Sequence, residues 1–246
     1  MRTLLSDRLA PVTSQIGYLR LPLRDAAAGL VDWRRRLYPR ADTRPVRGNL
    51  ADLVGCLEPL TGGSRARELM LATSSPEWTA YLDCGLAGTD ADTAVGQLCL
   101  DLGCTGVTVA SVPHTVGTGL EDPGRYGAVQ MSLYGPLQTG FLNQVRTVSV
   151  AHDGNRWRFD ADGTPQDFET PDAYTRRKVR DRFTSDMLAQ YCRALGIDPF
   201  DDGFYGSDGV LVTSDAPTAP DGKVLALPQA QAWFGIRPGA NECVPG

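Results

Sequence analysis

Lysine is almost missing from this chain. Lys178 and Lys223 are the only two among 24 basic residues, and arginine supplies the rest. The arginines are scattered, so their excess reads as coding bias rather than as a binding feature. Histidine is equally scarce, at His114 and His152 alone. The six cysteines, Cys56, Cys84, Cys99, Cys104, Cys192 and Cys243, include no C-x-x-C pair. Two histidines and that spacing speak against a structural zinc site, and buried free thiols are the expectation. No apolar run approaches the roughly 18–20 residues that span a bilayer. The N-terminus reaches Arg2, Asp7 and Arg8 before any apolar core could form, which speaks against a signal peptide. The expected setting is cytoplasmic, with no membrane partner.

Catalytic signatures are missing as well. No G-x-S-x-G elbow occurs. The Gly-Gly-Ser turn at 61–64 lacks the Gly-Lys-Ser/Thr that would complete a phosphate cradle. The aspartates at 198, 201, 202 and 208 do not follow the alternating calcium-loop pattern, and no glutamate closes them. No cofactor or metal is therefore expected. A hydrophobic share of 42% and a charged share of 22% are ordinary for a globular protein. The net charge of −5 and pI near 5.1 disfavour nucleic acid and suit a basic protein partner.

The chain is organised around Glu68–His114. Leu69–Thr73 and Trp78–Leu82 are apolar runs joined by a Ser-Ser-Pro turn. A helix opens at Thr89-Asp90-Ala91-Asp92, with Thr89 and Asp92 at capping-box spacing, and Gly103 stands where a left-handed C-cap belongs. Val107–Val109 returns as a strand. Before this unit, the first dozen residues read as a loosely tied lead-in. Gln15–Leu23 alternates as a strand, and Leu30, Trp33 and Leu37 mark a helix whose Arg34-Arg35-Arg36 run reads as a solvated face. Pro39–Gly48 reads as a charged loop, and Asn49 as the N-cap of a short helix.

After it, 115–125 reads as a loop. Ala128–Tyr134 and Leu142–Ala151 are strands, and Asp153-Gly154 signals a type I′ hairpin into Arg156–Asp160. Asp162-Gly163 predicts a second turn and Phe168 a short last strand. Thr170-Pro171-Asp172 predicts a helix start, with Arg176, Arg177, Lys178, Arg180 and Arg182 on the helix. A second helix carries Leu188, Tyr191 and Cys192 and closes at Gly196. The fold class is α+β: a mainly antiparallel sheet backed by helices, with a C-terminal helical segment and an irregular tail. The expected division is one domain over 1–206 and a tail over 207–246 packing on its surface.

Two functional readings follow. The first is a non-catalytic protein-binding role, most concretely an immunity-type inhibitor that masks a toxin or enzyme. Its surface is the acidic aromatic turn of Asp198, Phe200, Asp201, Asp202, Phe204 and Tyr205, where aromatics anchor and acids steer a basic partner. The second is a small-molecule site, binding or enzymatic, near Asp83, Cys84 and His114. These three form the one nucleophilic set the sequence offers: a thiol, a base at a strand end and an acid.

Two stretches also resemble a family of uncharacterised actinobacterial proteins. They run from Trp78-Thr79-Ala80-Tyr81-Leu82 to Cys104, and from Asp181-Arg182-Phe183-Thr184 to Asp198-Pro199-Phe200-Asp201-Asp202-Gly203-Phe204-Tyr205-Gly206. The resemblance implies a bacterial cytoplasmic setting and carries no activity or site residues with it.

Overall fold

A computed structural model describes residues 1–63, 65–116, 124–136, 139, 143–217 and 222–239. Among them the strands are β1 (Gln15–Leu19), β2 (Ala41–Arg47), β3 (Leu60–Thr61), β4 (Arg67–Thr73), β5 (Thr79–Asp83), β6 (Gly106–Val112), β7 (Ala128–Tyr134), β8 (Gln144–His152), β9 (Trp157–Gly163), β10 (Tyr205–Ser214) and β11 (Val224–Leu225). The α-helices are α1 (Leu23–Leu37), α2 (Leu50–Gly55), α3 (Ala91–Leu102), α4 (Ser185–Ala194) and α5 (Leu227–Trp233). Nine strands form one sheet in the order β2-β10-β4-β5-β1-β6-β7-β8-β9, and β11 pairs with β3 separately. Every neighbouring pair in the large sheet is antiparallel. The fold is α+β, as the strand and helix periodicities require.

The Glu68–His114 unit sits at the middle of this sheet. β5 and β6 flank β1, run parallel to each other, and are connected by α3 crossing over one face. The helix lies close because two glycines lie beneath it. A Cβ at Gly17 would come within 2.7 Å of Val95 Cγ2, and one at Gly106 within 2.3 Å of Val95 Cγ1. Val95, Leu98 and Cys99 are wholly buried there, alongside Leu30 of α1, Met70 and Tyr81. Each such aliphatic side chain contributes about 1.5–3 kcal/mol. The opposite face packs Ile16, Leu69, Leu82 and Val148 against Leu4, Leu53, Phe183 and Leu188. Gly103 adopts φ 63° as the left-handed cap of α3.

Several local expectations are corrected. The lead-in is tied down: Leu4 and Leu5 are buried, and Asp7 forms a two-bonded ion pair with Arg125. Leu5, Ser6 and Asp7 all have positive φ, a left-handed turn that L-residues adopt only when surrounding packing enforces it. The charged loop contains β2, an edge strand that tolerates Pro45 because its outer edge is unpaired. Thr89 and Asp92 do not form a capping box. Thr89 Oγ1 donates to the Val12 carbonyl, and Asp92 accepts from Thr108 and Tyr134 at 2.6 Å and from Gln15 at 2.8 Å. Three side-chain donors outcompete a single helix N–H. Asn49 does cap α2, with Asp52 completing a capping box.

In the β8–β9 hairpin, Gly154 and Asn155 are the central residues, with φ 95° at Gly154, so the glycine takes the first central position instead of the second. β9 is the last strand of this meander: Gly163 stays paired, and Phe168 packs on Tyr191 instead of extending the sheet. The arginine-rich segment is not an α-helix but two short 3-10 turns, Pro171–Thr175 and Val179–Asp181. It buries only Ala173 in the first turn and nothing in the second, so it lacks the apolar stripe that stabilises a helix. Residues beyond 206 are not a surface tail throughout. β10 lies between β2 and β4, so the division drawn at 206 falls inside a sheet strand, and Leu227–Trp233 forms α5.

Candidate functional site

The acidic aromatic turn is largely occupied with its own packing. Phe204 and Tyr205 are buried; Phe204 packs edge-on against Tyr18, whose hydroxyl lies 2.6 Å from that of Tyr205. This corrects their expected role as partner anchors, since neither presents a ring to solvent. Phe200 is half-buried, with the Arg2 guanidinium 4.7 Å above its ring. Asp198 accepts from Arg193, Asp201 accepts from the Gly203 N–H, and Asp202 pairs with Arg8. Asp201 remains exposed.

Nor do Asp83, Cys84 and His114 meet. Tyr81 and Thr108 both face Gly17, so Asp83 and His114 lie about two strand spacings apart and four residues out of step, roughly 16 Å between backbones. Cys84 packs in the core on the face of Leu82, where its thiol lies 3.5 Å from Thr61 Oγ1. Of the neighbouring loop, 117–123 lies outside the described residues.

Asp83 belongs instead to a charged floor beneath α1. In the β4–β5 register Glu68 stands directly opposite Asp83, and both carboxylates are buried. Like charges in that position repel, so each carries an arginine. Arg34 reaches down from α1 and binds Glu68 with two bonds, Nε at 2.5 Å and Nη2 at 2.6 Å. The Tyr81 hydroxyl donates to the same carboxylate at 2.7 Å. Arg65 Nε lies 3.0 Å from Asp83, which also accepts from the Gly85 and Asp90 N–H groups. Burial pushes the Asp83 carboxyl up to about 6, against the opposing pull of Arg65 and those two N–H bonds. Above this floor is a cleft of about 320 Å³ bordered by Trp33, Leu37, Tyr38, Ala94 and Pro217.

This floor corrects the reading of Arg34 as part of a solvated face. A sequence signal existed: Arg34 falls four residues after the buried Leu30, on the inward stripe of α1. Glu68 likewise shares strand parity with the buried Met70.

The two histidines come together elsewhere, at the ends of β6 and β8. Their rings lie 4.2 Å apart, Tyr126 stacks on His152 at 5.7 Å and 10°, and Trp157 meets both edge-on. The Arg180 guanidinium lies 4.8 Å over Trp157. Backbone N–H groups of Gly127 and Gly154 donate to Nδ1 of His114 and His152, so each neutral ring carries its proton on Nε2. His114 is held below its ordinary range by partial desolvation first, then by His152 and Arg180. Beside this stack is a cleft of about 300 Å³ floored by Val129, Val150, Trp157 and Phe183. The two histidines are far apart in sequence, and the β6–β7–β8 register brings them together.

Among the described residues no group of three or more His, Cys, Asp or Glu side chains is placed to hold one metal ion. No helix of the described residues is long and apolar enough to cross a membrane. Comparison with family models, with curated proteins and with solved structures finds no match for the chain.

Proposed function

We propose that the protein is a non-catalytic binding protein whose recognition surface is the stack of His114, Tyr126, His152 and Trp157 with its adjoining cleft. The observation that carries this reading is the exposed ring cluster itself. Tyr126 is 54% exposed, and it continues through two histidines to a tryptophan under an arginine. Tyrosine, tryptophan and arginine are the residue types that dominate binding energy at interfaces, and a cleft beside them accepts a partner's apolar side chain. Masking a partner's working surface, as an immunity-type inhibitor does, is one form this function takes.

This reading also calls for a different charge on the partner. Arg177 and Arg180 are exposed, and neither is paired with a carboxylate among the described residues. A partner docking here presents acidic groups around an apolar anchor, rather than the basic surface expected for the turn at Asp198–Tyr205. The test is retention of a partner from an extract of the producing organism on immobilised chain, followed by affinity measurement with the purified pair. Tyr126→Ala and Arg180→Glu are expected to weaken binding at least about tenfold, while Asp201→Lys leaves it unchanged. A partner lost with Asp201→Lys and kept with the other two would return the site to the acidic turn.

A further inference from the structure

We propose that the cleft above the Arg34–Glu68 and Arg65–Asp83 pairs binds a small organic monocarboxylate. This inference concerns the opposite face of the sheet from the cleft beside Trp157, and does not depend on the protein-binding reading. Two carboxylates directly opposite each other in a buried register are a poor choice for stability alone. Buried ion pairs are often replaceable by apolar residues at no loss, so the charged floor calls for another use.

Arg34 supplies that use. The residue is only 7% exposed, and its guanidinium is held by the two bonds to Glu68 and by stacking 3.9 Å over the Trp33 ring. Those bonds occupy Nε and Nη2. No described residue accepts from Nη1, while the side chain lines the cleft. A buried arginine fixed in orientation, with a free pair of donors at a cleft wall, is preorganised for an oxyanion.

The charged residues lining the cleft are Arg34, Arg65 and Asp90, whereas Glu68 and Asp83 lie beneath, directed at the guanidinium groups. Arg34 and Arg65 are thus neutralised by the carboxylates beneath, so the ligand's carboxylate is held by the unused Arg34 Nη1 donors rather than by an excess of positive charge. The other side chains at the border are mostly apolar, Leu37, Ala94 and Pro217 with the Tyr38 ring, and Thr93 stands at the rim. Leu37 is 52% exposed at the rim, where a ligand's apolar body would cover it. A volume near 320 Å³ is at the small end for ligand pockets and suits a compact body with one carboxylate.

The experiment titrates the full chain with benzoate, hexanoate, benzamide and inorganic phosphate, read by calorimetry and by the Arg34 Nε–H and Trp33 indole resonances. Benzoate and hexanoate are expected to bind and shift both resonances. Benzamide, of the same shape without the charge, and phosphate, without the apolar body, are expected to bind at least about tenfold more weakly. Leu37→Glu and Thr93→Trp change rim positions and leave both ion pairs intact; each is expected to cut carboxylate affinity at least about tenfold with the thermal midpoint unchanged. The proposal is overturned if neither carboxylate binds, if benzamide binds as well as benzoate, or if both rim variants bind like wild type. Phosphate binding as tightly as benzoate overturns the carboxylate assignment.

Discussion

The two clefts use polar chemistry in opposite ways. Under α1, Arg34, Glu68 and Asp83 are buried, each charge is paired, and Arg34 is locked to Glu68 by two bonds, so the floor is rigid and its side chains depend on one another. At the ends of β6–β9, rings and an arginine lie near solvent, and each is held by stacking rather than by an obligatory partner. Burial is what separates them. A guanidinium and a carboxylate inside the fold must satisfy each other at the full cost of desolvation, whereas an exposed ring can be changed at little cost to the fold. Preorganisation suits the first region to the small ligand proposed for it, and adaptable contact suits the second to the proposed large partner.

The largest expected effect breaks the buried side. Glu68→Ala leaves Arg34 charged and unpaired and removes the acceptor of the Tyr81 hydroxyl, so it should cost about 3–5 kcal/mol. Denaturant unfolding at constant pH measures this. A loss no larger than that of Tyr126→Ala would erase the distinction between the regions.

The next effect is a pH dependence specific to Asp83. Its folded-state value of about 6 lies above its ordinary 3.8, so the folded chain binds this proton more tightly than the unfolded chain. Its contribution to stability is therefore greatest below the ordinary carboxylate range. It declines as pH rises from about 4 to 6 and is flat above, a span of about 3 kcal/mol for a shift of that size. Asp83→Asn should remove this component from the unfolding free energy across pH 4 to 7. An identical pH profile in wild type and variant would show that Asp83 titrates alike in the folded and unfolded chain. On the exposed side, Tyr126→Ala should change stability by no more than about 1 kcal/mol while weakening partner binding, as unfolding and binding measured on the same preparation would show.

The same contrast explains what was legible beforehand. Apolar periodicity is set by burial, so α3, the left-handed cap at Gly103 and the strands at Ala128–Tyr134 and Trp157–Asp160 could be read locally. β2 escaped because its face is mostly exposed and its sequence carries Pro45 and charges. β10 reads locally as an apolar run but not as an interior strand, since its neighbours β2 and β4 lie more than 130 residues upstream. The candidate sites fared less well for a related reason. Residue type indicated Asp83 and His114, but their partners are set by register: Glu68 faces Asp83 across a strand pair, and His152 reaches His114 across β7. Charge on a helix suggests a solvated face, although helical spacing puts Arg34 on the inward side with Leu30.

The smallest effect concerns His114. Desolvation, the ring of His152 and the charge of Arg180 all disfavour its protonated form, so its folded-state value lies below 6.5. The folded chain then binds this proton less tightly than the unfolded one. Its contribution to stability is present above 6.5 and is lost as pH falls through that value toward the lower folded one. The side chain is exposed, so the stability change should be slight and the better measure is the ring's own titration, followed through its carbon-bound proton resonances. His152→Gln and Arg180→Gln should each raise the His114 value toward the ordinary one. Protonation at Nδ1 would also displace the Gly127 N–H bond, so the Tyr126 resonances should move at the same pH in wild type and at a higher pH in both variants. If His114 titrates identically in all three proteins, the rings are neighbours without being coupled, and the stack is a set of separate contacts rather than one surface.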